Sequence, residues 1–229
     1  MITIITSTYN RSYLISKAIE SVLQQTYKDF EYLIIDDGST DKTRKVVKKY
    51  LVDPRIHYVN EGKQEYYTHV RNIGVKRATG RLICFLDDDN WWEPTFLEDH
   101  ERVHRQKDVA VTYSGRIVHF VDKGVSEKVP LVKYMGTTDA LNGVLDVGDL
   151  MFKTALVKEV GMFSKEKDMI GYCSDLRLVD AVLEAHPEMK MVLIPKFLHN
   201  YRAHSGSMTQ RKLADRAKGI FREEEQWKL

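Results

Sequence analysis

The sequence predicts an α/β fold in which a mostly parallel central sheet is flanked by helices. Short apolar segments alternate with amphipathic ones over residues 2–59, which is the pattern of consecutive strand, helix, strand units. A later apolar run at residues 82–86 has the length and character of a strand buried on both faces. The chain has 229 residues, of which 43% are hydrophobic, so it can form one domain with a sizeable core.

The first third of the chain gives the clearest pattern. Strands are predicted at residues 2–6, 30–35 and 55–59. The helix after the first strand has apolar residues at the spacing of one broad face, and Ser12 is expected to cap it. The helix after the second strand is expected to be capped by Ser39 or Thr40. Parallel strands joined by right-handed crossovers follow from this order.

A third helix is predicted at residues 68–79, directly before the strand at residues 82–86. Gly80 is placed to end this helix as its C′ residue. Gly74 lies inside it, where glycine costs about 1 kcal/mol relative to alanine. That cost indicates that the backbone at Gly74 packs closely against a neighbouring element or a ligand.

The rest of the chain is less regular. The predicted elements are a helix opening at Trp91 and running to about residue 105, one strand or a bent pair at 109–121, an irregular stretch at 122–142, a strand at 144–152, a helix at 174–185, edge strands at 192–198 and 199–203, and a charged amphipathic helix at 210–229.

The aspartates that follow residues 82–86 are the strongest candidates for a functional site. If extended geometry persists, Asp87 and Asp89 leave the strand on one side and Asp88 on the other. Carboxylates that share one site repel each other, so one takes up a proton or a cation binds. Mg²⁺ typically takes one or two carboxylates and completes its shell with water and phosphate oxygens. A solvated acidic turn is the plain alternative.

Composition excludes several classes of protein. The chain has 35 basic and 33 acidic residues and a net charge of +2, so nucleic acid is not expected as a general partner. Cys84 and Cys173 provide neither a disulfide framework nor metal-cluster spacing, which favours a reducing compartment. The sequence has no apolar run long enough to span a bilayer and no signal-peptide pattern at its start. We therefore expect a cytoplasmic location, free or at the inner face of the membrane.

Four separated motifs follow the predicted elements in order: Thr8-Tyr-Asn-Arg11, Asp36-Asp-Gly-Ser-Thr-Asp41, Arg71-Asn-Ile-Gly74 and Leu86-Asp-Asp-Asp89. Together they resemble the motifs of the inverting glycosyltransferases of family two, which have the GT-A nucleotide-sugar fold, and the last of them is similar to a DXD motif. Two looser matches are Gly171-Tyr-Cys-Ser-Asp175 and Tyr201-Arg-Ala-His-Ser-Gly-Ser207. The resemblance implies a single GT-A domain over residues 1–229, with a donor half at about 1–90 and an acceptor half at about 91–209.

The resemblance also implies roles for individual residues on the donor side. The donor is a nucleotide-sugar, most commonly UDP-linked in this family, and the cofactor is Mn²⁺ or Mg²⁺. The implied donor-binding residues are Thr8, Tyr9, Asn10 and Arg11 around the nucleotide, Asp37 at the base imide, Arg71 at the base or diphosphate, and Asp87 and Asp88 at the rest of the donor. Asp89 is the implied metal ligand, and His204 is a further metal ligand or a phosphate contact.

On the acceptor side the resemblance implies that Asp175 is the catalytic base, with Asp168 as the substitute if the register differs. Trp91 and Trp92 are candidates for stacking on an acceptor sugar, and core packing is the alternative for one of them.

Three departures from the family pattern bear on these roles. Ser7 replaces the usual proline, Asn90 replaces an acid, and Ser174 precedes Asp175 where glutamate is common.

The acceptor itself is left open as a saccharide, a lipid-linked molecule or a protein. The C-terminal helix is expected to pack against the domain, to form a homodimer contact or to touch a membrane peripherally. Two rival functions remain. One is a sugar nucleotidyltransferase, although residues 7–12 contain no glycine for the phosphate-binding loop of that class. The other is a module that binds nucleotide-sugars and has lost its catalytic base.

Overall fold

A computed structural model of the chain describes residues 1–64, 67–135, 145–164 and 173–204. The strands within these ranges are β1 (Ile2–Thr8), β2 (Phe30–Asp36), β3 (Ile56–Asn60), β4 (Leu82–Phe85), β5 (Trp91–Trp92), β6 (Val109–Phe120), β7 (Val125–Lys128), β8 (Leu150–Lys153) and β9 (Lys190–Ala203). The α-helices are α1 (Ile15–Leu23), α2 (Thr43–Val47), α3 (Tyr67–Arg77), α4 (Phe96–His104), α5 (Thr154–Glu159) and α6 (Cys173–Ala185).

All these strands belong to one sheet with the order β3-β2-β1-β4-β8-β6-β9-β5, and β7 pairs with β6. Strand β1 is parallel to both β2 and β4, and β2 is parallel to β3. Strand β8 is antiparallel to its neighbours β4 and β6, whereas β6 and β9 are parallel. The predicted α/β class with a mostly parallel sheet is confirmed. The carboxyl ends of β1, β2 and β4 consequently meet at one edge of the sheet.

Helices cover both faces of the sheet because strand side chains alternate in direction. Ile4 packs in one core cluster with Ile15 and Ile19 of α1, while the next residue, Ile5, packs in the other cluster with Val70 of α3. A Cβ atom on Gly74 of α3 would lie 2.8 Å from two carbon atoms of Ile5. The close backbone approach predicted at Gly74 is therefore a packing contact between α3 and the central strand.

The predicted helix caps are wrong, because the loops that precede α1 and α2 bond to each other. Ser12 lies before the start of α1, and its N–H donates to Asp41 Oδ2 at 3.1 Å. Asp41 Oδ1 accepts from the N–H of Thr43, at the start of α2, at 2.8 Å. These side-chain bonds tie together the segments that follow β1 and β2.

Several elements after residue 90 also differ from the predictions. The tryptophans form strand β5, which pairs with Asn200 and His199 of β9, instead of opening α4. Strand β9 is continuous through Pro195, which lies at a shift in its register with β6, and β5 covers its second half. The predicted irregular stretch contains β7, and α5 was not predicted.

Asp168 and the predicted C-terminal helix lie outside the described residues. In the part of the chain that the structure describes, every helix is too short or too polar to cross a membrane.

Buried histidines in α4 predict acid sensitivity. Burial lowers the pKa of His104 from 6.5 to about 4, although its Nε2 bonds to the Met151 carbonyl at 3.1 Å. Below pH 6.5 His104 is therefore protonated in the unfolded chain but stays neutral in the folded chain. Stability is lost as the pH falls from 6.5 towards 4. We expect the free energy of unfolding to fall by about 2 kcal/mol from this group between pH 7 and 5.

Urea unfolding at the two pH values measures this loss, with His104→Gln as the comparison because its amide can still donate to the carbonyl. An equally steep loss in His104→Gln would show that other groups cause the acid sensitivity. His100 contributes with the same sign, since burial lowers its pKa as well.

Candidate active site

The loops after β1 and β2 form one side of the candidate site. Thr8 pairs with Asp36 at the ends of these strands, and the Asp37 N–H donates to the Thr8 carbonyl at 2.9 Å. Asn10 has a φ of 52°, in the left-handed region, and its Oδ1 accepts from the Thr40 N–H at 2.8 Å. The structure thus brings Thr8, Asn10 and Asp37 together, as the sequence predicted. Asn10 links the loop after β1 to the loop after β2 by hydrogen bonds with Thr40 and Ser39.

Asp37 and Tyr9 are joined by their contacts with Lys63. The Asp37 side chain is 10% exposed, and its Oδ1 accepts from the Gln64 N–H at 2.6 Å. Its Oδ2 forms an ion pair with Lys63 Nζ, which also lies 3.9 Å from the centroid of the Tyr9 ring. Tyr9 itself is 43% exposed, and the Lys63 ammonium lies over one face of its ring. Sequence reasoning missed Lys63, which is one of many lysines and belongs to none of the motifs.

The aspartate cluster forms the next part of the site. The chain turns immediately after β4, since the Asn90 N–H donates to the Asp87 carbonyl at 3.1 Å, and the predicted extended geometry does not persist. Burial, followed by the charge of Asp89, raises the pKa of Asp88 well above its usual value. The pKa of Asp89 is also raised, by burial first and then by Asp87. The side chains of Asp88 and Asp89 are 10% and 14% exposed, so the cluster is not a solvated acidic turn.

Cationic and imidazole groups face this cluster. Arg11 Nε lies 3.7 Å from Asp88 Oδ1. His204 Nε2 lies 3.2 Å from Asp89 Oδ2, and Arg202 Nε donates to the Asp89 carbonyl at 3.1 Å. The end of β9 thereby reaches the aspartates across more than a hundred residues of sequence, as the Tyr201 motif implied.

Arg71 connects the aspartate cluster to α6. Its Nη2 donates to Asp87 Oδ1 at 2.9 Å and its Nη1 to Asp175 Oδ1 at 2.8 Å. Burial lowers the pKa of the guanidinium, but the carboxylates of Asp175 and Asp87 raise it more, so the pKa of Arg71 is raised overall. Asp175 therefore belongs to the same site as the aspartates after β4.

The two tryptophans have different environments. Trp92 is 2% exposed, its ring stacks on Phe96 with 4.0 Å between centroids, and its Nε1 donates to the Gly148 carbonyl at 2.8 Å. Core packing accounts for Trp92. Trp91 is half-buried, with Lys17 Nζ 3.1 Å from its ring centroid and the His119 ring stacked at 4.7 Å. Trp91 is the more exposed of the two, but Lys17, His119 and Arg202 already lie against its ring.

A buried polar cluster next to β8 was also not predicted. His199 Nδ1 lies 2.7 Å from Asp149 Oδ1, and Arg116 Nη1 lies 3.3 Å from Asp149 Oδ2. These residues come from β6, β9 and the turn before β8, and no local motif in the sequence marks them. They tie the strands that support Trp91 and Trp92.

Comparison with known proteins identifies relatives of this chain. Residues 3–164 match the family model "Glycosyl transferase family 2". The chain is 28% identical over 217 residues to the Escherichia coli protein "UDP-Glc:alpha-D-GlcNAc-diphosphoundecaprenol beta-1,3-glucosyltransferase WfaP", covering 94% of this chain and 82% of that protein. It is 34% identical over 116 residues to the "Putative teichuronic acid biosynthesis glycosyltransferase TuaG" of Bacillus subtilis (strain 168), covering 50% of this chain and 46% of TuaG.

Solved structures show the same fold. S. aureus TarS 1-349 in complex with UDP-GlcNAc is similar with a TM-score of 0.72 and 21% identity, over 90% of this chain and 59% of that one. The mannosyltransferase PcManGT from Pyrobaculum calidifontis, in complex with GDP-Man and Mn²⁺, gives a TM-score of 0.69 and 18% identity over 96% of this chain and 64% of that one. The chain thus spans less than two thirds of these structures. The expected GT-A fold is confirmed, and because the family model matches most of its length, the chain belongs to glycosyl transferase family 2.

Proposed function

We propose that this glycosyltransferase is metal-dependent and inverting, and that it transfers a sugar from a UDP-sugar to an acceptor hydroxyl. Two similar proteins support the choice of donor, since the name of WfaP specifies UDP-Glc and TarS was solved with UDP-GlcNAc. We propose that the base stacks on Tyr9 once Lys63 has moved from its ring, and that Asp37, which accepts from Gln64 and Lys63 here, also accepts from the imide N–H of the base.

The contact that carries the proposal is the bridge from Asp87 through Arg71 to Asp175. One guanidinium holds the candidate base and a donor-side aspartate within hydrogen-bond distance of itself. An acceptor hydroxyl that reaches Asp175 is therefore close to a donor held at the aspartate cluster. This closeness is what direct transfer between two bound substrates requires.

The carboxylate and imidazole groups at the aspartate cluster are suitable ligands for a divalent cation. Among the described residues, no group of three or more His, Cys, Asp or Glu side chains is arranged to hold a metal, and Asp89 with His204 is the pair we propose as ligands. Mg²⁺ and similar ions usually take few protein ligands and complete their shell with water and substrate phosphates. A bound cation would favour the ionised forms of Asp88 and Asp89, whose pKa values are raised by burial first and by neighbouring aspartates second. It would also neutralise the negative charge that develops on a departing diphosphate.

The chain's own residues then account for the transfer step. Asp175 accepts the proton of the acceptor hydroxyl as general base, while Arg71 fixes its orientation. The hydroxyl oxygen forms a bond to the anomeric carbon from the face opposite the diphosphate, the bond to the diphosphate breaks, and the configuration inverts. Asp87 orients the donor, and Arg11 partly offsets the charge of Asp88.

For the acceptor we propose a lipid-linked saccharide, reached by residues 91–209 as the acceptor half. The observation behind this choice is the name of WfaP, which specifies a diphosphoundecaprenol-linked sugar. Trp91 is our candidate for an aromatic contact with the acceptor, which would have to displace the Lys17 ammonium from its ring face. Saccharide and protein acceptors are the alternatives that an acceptor screen would separate.

A thermal-shift experiment tests the donor site. We expect UDP and UDP-sugars, with Mn²⁺, to raise the melting temperature more than GDP-linked, dTDP-linked or CDP-linked sugars, because ligands that bind the folded state stabilise it by mass action. Release of free UDP from UDP-sugar in the presence of acceptor then separates the enzyme from a module that only binds nucleotide-sugars. A shift with GDP-sugars alone would contradict the choice of UDP, and binding without any turnover would favour the binding module.

A further inference from the structure

We propose that Lys63 is a further donor-binding residue. Its ammonium donates a hydrogen bond to a carbonyl of the base, next to the N–H that donates to Asp37. This inference rests on the proposed UDP-sugar donor. It starts from the contact of Tyr9, Asp37 and Lys63, in which the lysine ammonium pairs with the carboxylate and covers one face of the tyrosine ring.

The ammonium of Lys63 makes the two contacts that the base is expected to make. It pairs with Asp37 Oδ2, and it lies 3.9 Å from the centroid of the Tyr9 ring. A base that stacks on Tyr9 must displace the ammonium from the ring face. The Lys63 side chain is 57% exposed and flexible, so this movement meets little resistance from packing.

The ammonium is nevertheless expected to stay beside Asp37 after the base has entered. The Asp37 side chain is only 10% exposed, and a stacked base would cover it further. A carboxylate that loses water without a cationic partner is strongly destabilised, and a neutral N–H donor does not replace the charge. The backbone N–H of Gln64 holds the other carboxylate oxygen at 2.6 Å and so fixes the orientation of the pair.

A hydrogen-bond acceptor and a hydrogen-bond donor that lie side by side, here Asp37 and Lys63, recognise a base with the complementary pair of groups. Uracil presents an N–H flanked by carbonyl oxygens, so Asp37 can accept from the N–H while Lys63 donates to a neighbouring carbonyl. Cytosine in the same position presents an unprotonated ring nitrogen, which the carboxylate repels. If the neighbouring carbonyl is the one at C4, where cytosine carries an amino group, Lys63 adds affinity for uracil that cytosine cannot gain, as well as attracting any anionic nucleotide.

The test compares UDP with CDP, because both carry the same diphosphate. Calorimetry with Mn²⁺ would measure both nucleotides on the wild type, Lys63→Met and a control, Lys49→Met, which removes an exposed lysine in the turn after α2. We expect Lys63→Met to weaken UDP about tenfold, the effect of losing one hydrogen bond from a charged donor, and CDP less than about threefold. Lys63→Gln, which keeps an N–H donor, should recover part of the loss.

An equal loss for UDP and CDP in Lys63→Met would overturn the inference, because it would show that the lysine acts only through charge on the diphosphate. Unchanged or tighter UDP binding in Lys63→Met would also overturn it, since the lysine would then only cover Tyr9 and Asp37 in the free protein. If the wild type bound neither nucleotide, the proposed donor would fail as well. Tight UDP binding with an unaltered ratio in Lys63→Met would refute only the role of Lys63.

Discussion

Replacing Asp89 by alanine is expected to reduce sugar transfer by at least about a hundredfold and to weaken UDP binding in the presence of Mn²⁺, because charge stabilisation by a bound cation is worth several kcal/mol. EDTA should have the same effect on the wild type. Asp89 is the residue to replace because its Oδ2 lies 3.2 Å from His204 Nε2, and because burial and the nearby charge of Asp87, which raise its pKa, would both be offset by a bound cation. Transfer and calorimetric UDP binding are the two measurements.

Asp122→Asn provides the matched control, since Asp122 is an exposed aspartate in the turn before β7. Thermal unfolding should show that Asp89→Ala is folded and no less stable than the wild type, because the substitution removes one of several carboxylates that repel each other. Full activity of the wild type in EDTA would refute metal dependence. If Asp89→Ala lost transfer but EDTA still weakened its UDP binding as much as it weakens that of the wild type, the metal would be assigned to other residues.

Replacing Asp175 by asparagine is expected to leave the dissociation constant for UDP within a few-fold of the wild type while transfer falls by at least about a hundredfold. Asparagine can still accept a hydrogen bond from Arg71, but it cannot take up a proton at neutral pH, and loss of a positioned general base typically costs on the order of 10² to 10⁴ in rate. Calorimetry with UDP and Mn²⁺ beside a nucleotide-release assay measures both quantities.

Asp180→Asn is the control for this prediction, because Asp180 lies on the same helix as Asp175. Near-normal turnover in Asp175→Asn would move the role of the base to Asp168 or another acid. A parallel loss of UDP binding would instead make Asp175 a donor-site residue, which the contact between Arg71 and Asp87 would explain.

The sequence was sufficient to predict the elements that carry the donor half. Strands β1, β2 and β4 are runs of apolar residues that end at polar ones, and their parallel pairing follows from the helices between them. The aspartates at the end of β4 were therefore placed correctly beside the residues that follow β1. The turn at Asp88 was not predicted, because a strand pattern does not show where extended geometry ends.

The remaining differences arise from long-range contacts. Strand β5 consists of two residues, and it exists because His199 and Asn200 of β9 pair with it. Lys63 gains its significance from Tyr9 and Asp37, which lie more than twenty residues away in sequence. The contact of Arg71 with Asp175 likewise joins residues that are more than a hundred positions apart. A single sequence carries no local signal for contacts of this kind.

The position of Arg71 between Asp87 and Asp175 has a thermodynamic consequence. Both carboxylates draw on the same guanidinium, so a ligand that changes the contact at Asp87 also changes the stabilisation of negative charge on Asp175. Linkage requires this influence to be reciprocal: whatever free energy donor binding transfers to the protonation of Asp175, protonation of Asp175 returns to donor binding. Donor affinity is thus expected to change when Asp175 is protonated, and the tendency of Asp175 to take up a proton is expected to change when the donor binds.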